Sequence, residues 1–165
     1  MIDPCWIKRA RSLIGKKEVP GAKSDMWVLG LWDTIPWIWS TVARKDDSIV
    51  PWCSAFCRYV MAECSLPFPK KWWSAASWLD YGTRLPNPVF GCIGVLKRPK
   101  GAHVTFIIGK DNAGNLLGLG GNQGDAVKVS AFKRERFTGF VWPEGATIRW
   151  DGLPILSAEV SESES

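Results

Sequence analysis

Residues 51–64 read PWCSAFCRYVMAEC, and the fold turns on how this stretch is read. From Trp52 the apolar positions Phe56, Tyr59, Val60 and Cys64 recur at three- and four-residue spacing, which predicts a helix over about 52–65. Pro51 stands at its entry, where a missing N–H costs little. Cys53 then falls in the first turn, whose amides lack intrahelical partners and carry the positive end of the dipole. Both effects favour a thiolate and predict a lowered thiol pKa at Cys53. Cys57 lies one turn further on, without those amides, and reads as a small buried residue, as do Cys5, Cys64 and Cys92.

Upstream of this helix, Asp3-Pro4 predicts a helix start with Asp3 as cap and Pro4 at the first helical position. Trp6, Ile7, Ala10, Leu13 and Ile14 share one face, and Gly15 ends the element. Residues 26–32 read as a short helix, and Pro36 interrupts the apolar segment beyond it. Downstream, residues 72–81 read as another short helix with Ser74 as a cap. After Pro88 the texture changes to short β-like runs at 89–96, 103–108, 115–119, 126–129 and 137–142, separated by turn sequences. Helices first and strands second predict an α+β fold, with the helices packed on an antiparallel sheet of about five strands. One domain over 1–156 is expected, and the acidic run from 157 to 165 reads as a disordered tail.

The chain has 165 residues, a net charge of +5 and 11 tryptophans. That many indoles must supply much of the core, with some left to line a cleft. The positive charge suits an anionic partner, but the basic residues are scattered and form no nucleic-acid-binding motif, so no nucleic acid is expected. Five cysteines without a tight framework suit a reducing compartment with thiols mostly free. The start MIDPCWIKRARS lacks the apolar run of a signal peptide, and residues 26–42 are broken by Asp33 and Pro36. The expectation is therefore synthesis in the cytoplasm and no stable membrane insertion.

A single histidine, His103, prunes the chemistry. Two-histidine zinc motifs are excluded, and no GxSxG elbow exists for a serine hydrolase. A cysteine on a helix start and a histidine delivered from a strand are both present. His103 opens the half-buried pattern HVTFII after a flexible loop, and Asn122, Gln123 and Asp125 are candidates to orient its ring. A metal site of Cys53, Cys57 and His103 lacks a fourth ligand, and a carboxylate mechanism through Glu18 lacks a partner. No metal or cofactor is expected.

Taken in order, PWCSAF at 51–56, SAASWL at 74–79, His103-Val104, LGGNQ at 119–123 and GFVWP at 139–143 resemble the small phage and prophage cell-wall hydrolases. That family is similar to the CHAP and NlpC/P60 amidases and endopeptidases. The resemblance implies a papain-like fold with Cys53 as nucleophile, His103 as base and Asn122 as the third polar residue. It implies amide cleavage in the peptide of peptidoglycan by a monomer that reaches the wall or periplasm once the membrane is permeabilised. Trp52, Trp73 and Trp78 would wall the cleft, and Asp47 and Gln123 would contact substrate. The chain has Gly91-Cys92 where such enzymes commonly have Gly-Asp, and Thr105 where they often have glycine. A secreted antibacterial amidase effector and a non-catalytic wall-binding module are the competing expectations.

Overall fold

In a computed structural model, residues 1–19, 25–32 and 52–157 are described. They form an α+β fold in which helices precede a six-stranded antiparallel sheet. Helix α1 is Cys5–Ser12, α2 is Met26–Gly30 and α3 is Cys53–Glu63. The strands are β1 (Thr83–Leu85), β2 (Ile93–Lys97), β3 (Ala102–Lys110), β4 (Leu116–Gly120), β5 (Lys128–Phe132) and β6 (Phe137–Trp142). Their order across the sheet is β1-β6-β2-β3-β4-β5.

Helix α3 follows its periodicity, and its first five residues, Cys53 to Cys57, are all buried. Phe56 meets Phe106 of β3 with ring centroids 6.3 Å apart, which seats the helix on the sheet. Strand β3 is buried from His103 to Gly109, as befits a strand with neighbours on both edges. The sixth strand, β1, escapes the sequence pattern because three residues, Thr83–Leu85, carry no period. It forms by pairing with the end of β6, Thr83 opposite Trp142. The helix expected over 72–81 is a 3-10 segment, Ala75–Asp80, that buries Ala75 and Trp78.

Two local expectations change. Helix α1 starts at Cys5 with Pro4 in the cap position and no side-chain cap. The Asp3 carboxylate instead accepts a hydrogen bond from Arg11 Nε at 2.8 Å, a charge-assisted contact that replaces capping. Cys5 and Cys64 are not buried packing residues but form a disulfide, S–S 2.06 Å, tying the start of α1 to the end of α3. Cys53, Cys57 and Cys92 are free and buried. Asp47 and the acidic tail beyond 157 lie outside the described residues. Among the described residues no helix is long and apolar enough to cross a membrane.

Candidate active site

Trp52 and Cys53 open α3 with Trp52 as the cap residue, and Phe56 N–H bonds the Trp52 carbonyl at 2.9 Å. The Trp52 ring is held from two sides. Its Nε1 donates to the buried Glu18 carboxylate, while Gly121 passes so close that an added Cβ would sit 2.6 Å from the ring. Glu18 is itself fixed by its N–H to Asp125 C=O at 2.8 Å. The loop after β4 and the segment after α1 thus clamp the residue before Cys53. Ser54, the residue after it, donates to Trp72 C=O and accepts from Trp78 Nε1 at 2.7 Å. That bond joins the PWCSAF and SAASWL stretches in space.

The Cys53 thiol lies against the N–H of Val104, the residue after His103. Strand β4 pairs with β3 only from Phe106 onward, so this flank of β3 is outside the ladder. By strand alternation Val104 and Phe106 face α3, while His103 and Thr105 point to the other face. There the His103 ring lies 5.8 Å from the Phe132 ring.

The histidine is held by Gln123, its Nε2 lying 3.0 Å from Gln123 Oε1. The orientation of the Gln123 amide is fixed by its other bonds, since Nε2 donates to Gly118 C=O at 3.0 Å and Lys128 C=O at 2.7 Å. With both amide protons committed to carbonyls, Oε1 faces the ring as an acceptor, and the histidine must donate from Nε2. Nδ1 is then the unprotonated nitrogen, and it is buried without a hydrogen-bond partner. The imidazole is an oriented base whose accepting nitrogen touches no donor, including the Cys53 sulfur.

Burial governs both titrating groups. It pushes the Cys53 thiol up, against the opposing pull of the Val104 N–H, the Arg98 charge and the first amides of α3. The lowered thiol expected from the helix start is therefore overturned, because desolvation outweighs the amides. Burial also brings the His103 pKa down to about 3, helped by the Arg98 and Arg136 charges and opposed by the Gln123 bond. At neutral pH the resting pair is thiol and neutral imidazole. Cys57 is raised well above the usual thiol range by burial and by its neighbour Cys53, and Cys92 is pushed up to about 12, chiefly by burial.

The residue that orients His103 is Gln123, not Asn122. Asn122 sits at φ 54°, and its carbonyl accepts from Arg98 Nη2 at 3.4 Å. Trp52 and Trp78 are fully buried as parts of the scaffold behind Cys53, whereas Trp73 is 39 % exposed. The sequence reading missed Glu18 as the anchor of Trp52 and Arg98 as a charge acting on both Cys53 and His103. No spacing rule links either to the site. Among the described residues no three of His, Cys, Asp and Glu converge as metal ligands. In comparisons with known proteins, no family model, curated protein or solved structure matched this chain.

Proposed function

We propose that this protein is a cysteine hydrolase that cleaves an amide bond in the peptide of bacterial peptidoglycan, as an endolysin does. The observation that carries the reading is the buried Cys53 thiol at the start of α3, lying against the backbone amide of Val104, one residue from a histidine on the other face of β3 whose unprotonated Nδ1 has no hydrogen-bond partner. The order of a cysteine helix followed by an antiparallel sheet bearing the histidine supports a papain-like reading of the fold. The motif resemblance over most of the chain supplies the substrate class.

Because both groups rest neutral, the chemistry is general-base catalysis. As the Cys53 sulfur attacks the amide carbonyl, its proton passes to His103 Nδ1. The imidazolium formed is held through Nε2–H by Gln123 and then protonates the leaving amine, and water attacks the thioester with the ring again as base. In the resting structure the two groups lie on opposite faces of β3, so this transfer requires the start of β3 to turn and bring the ring toward α3 when substrate binds. The Cys53 N–H at the head of α3 would meet the oxyanion. The burial of Trp6, Trp32, Trp52, Trp72, Trp78 and Trp142 speaks against a wall-binding module that holds glycan on its indoles.

The test is turbidity loss of permeabilised Gram-negative cells, with mass spectrometry of the released muropeptides. Wild type should clear the suspension and release new amines, and Cys53→Ala should not. Equal clearing by Cys53→Ala would overturn the reading.

A further inference from the structure

The exposed apolar surface of this protein is gathered in one place. Among the described residues seven large apolar side chains are well exposed, and five of them, Met1, Ile2, Ile14, Trp150 and Ile155, lie in two short segments. Those segments touch. Arg149 Nη1 donates to the Ile2 carbonyl at 2.8 Å, joining the chain ahead of α1 to the residue before Trp150. Past the other end of α1, Arg11 and Ile14 meet Leu156 around a cleft of about 360 Å³ that Ile108 of β3, Leu117 of β4 and Val129 of β5 also line. Ile155 stands beside that cleft because the final segment pairs with Lys110 at the end of β3. Single exposed apolar side chains are ordinary, but a gathered set marks a contact surface.

The charge around this face is positive. Residues 1–17 carry five cations and one carboxylate, and that carboxylate, Asp3, is bonded to Arg11. Asp151 is likewise bonded to Arg149, and Asp111 gives both carboxylate oxygens to Asn115. The exposed Lys8, Lys16, Lys17 and Lys110 therefore set the sign. Lys8 lies three residues before Arg11, on the side of α1 that borders the cleft. Apolar side chains with an indole among them, bordered by flexible ammonium groups, match a bilayer surface bearing anionic headgroups. A second copy of the chain would set these lysines against one another, which disfavours pairing through this face.

We propose that the face built from residues 1–14 and 149–156 docks this protein on an anionic lipid surface. Ile2, Ile14, Trp150 and Ile155 enter the boundary between headgroups and acyl chains, and the lysines meet the lipid phosphates. The protein lies on the bilayer and does not span it. This surface is independent of the hydrolase reading and holds whether or not Cys53 is a nucleophile.

The experiment is co-sedimentation of the full chain with vesicles of phosphatidylcholine alone and of phosphatidylcholine with about one-third phosphatidylglycerol. Partitioning should be about tenfold or more stronger onto the mixed vesicles and should fall away in about 0.5 M salt. Trp150→Ser should weaken it about tenfold through lost apolar contact, and Lys8→Glu about fivefold or more through lost charge. Met26→Ser removes an equally exposed apolar side chain from outside this face and should leave binding unchanged. All three positions are exposed, and circular dichroism confirms that the variants fold. Equal partitioning onto both vesicles, no binding to either, or binding undiminished in both Trp150→Ser and Lys8→Glu would overturn the proposal. So would a dimer in light scattering that Trp150→Ser breaks, which gives the face to a second copy. Cys53→Ala should bind vesicles as wild type does, so the lysis test of the hydrolase reading is read separately.

Discussion

Replacing Gln123 with leucine keeps the volume and removes three hydrogen bonds at once. It strands His103 Nε2–H, Gly118 C=O and Lys128 C=O, the first two in the buried interior. At about 1 kcal/mol for each unpaired group, the loss is roughly 3 kcal/mol. For a chain of this length that lowers the melting temperature by about 5–10 °C. On the proposed hydrolase reading, the catalytic loss is larger and has a separate cause. Without Oε1 the ring no longer has a reason to keep its proton on Nε2, and the base at Nδ1 disappears from part of the population. General-base catalysis is worth about 10²–10⁴ in rate, so kcat/KM should fall by a good part of that range. Asn122→Ala is the companion, because the Asn122 side chain makes no bond to His103 and only its backbone carbonyl is used. It should stay within about 1 kcal/mol of wild type and keep its activity. Thermal denaturation, muropeptide release and long-range ¹H–¹⁵N NMR of the lone imidazole read the three quantities. An unchanged melting temperature and ring tautomer in Gln123→Leu, with activity lost in Asn122→Ala, would refute the assignment.

Acid should destabilise the fold through His103. Its folded pKa is depressed to about 3 from an ordinary 6.5, so between those values the unfolded chain binds more protons. The stability is fully present above about pH 6.5 and drains away as pH falls toward 3, by a few kcal/mol. Urea midpoints measured across that window should fall for wild type and flatten for His103→Gln. Opening the Cys5–Cys64 bridge, which spans 59 residues, should cost up to about 4 kcal/mol of chain entropy. The double variant Cys5→Ser, Cys64→Ser should melt roughly 10 °C lower, and an unchanged melting curve would refute the contribution. Gly121→Ala would place a Cβ 2.6 Å from the Trp52 ring and 2.7 Å from Phe56 Cβ, costing about 1–3 kcal/mol. Because Trp52 caps the helix that carries Cys53, lysis should fall further than the melting curve alone explains.

The elements whose side chains repeat were legible in the sequence. Helix α3 was readable because Phe56, Tyr59, Val60 and Cys64 keep one period, and β3 because HVTFII alternates before turning fully apolar. Choosing Gln123 over Asn122 was not possible from spacing. In a loop where residues 122, 124 and 125 all take positive φ, the side-chain direction is set by backbone handedness, which the residue names do not reveal. The disulfide was hidden for a different reason: its cysteines are 59 residues apart and meet only because α1 begins where α3 ends. Trp52 and Trp78 looked like cleft walls beside a nucleophile. The buried partners of their indole N–H groups, Glu18 and Ser54, show them as scaffold. The sign of the Cys53 shift was also beyond the sequence, since it is the outcome of helix amides competing with burial.

The bridge between Cys5 and Cys64 has a mechanical meaning as well. A chain held at its two ends and stretched would carry tension from residue 5 directly to residue 64, bypassing α1, α2 and α3. Those helices would stay slack inside a covalent loop while the sheet alone took the load. The fully extended molecule would come up short by roughly 200 Å, the length of the 59 residues that cannot pay out. Adding a reductant midway through such a pull would release that hidden length in one step, and the helix bearing Cys53 would feel the load for the first time.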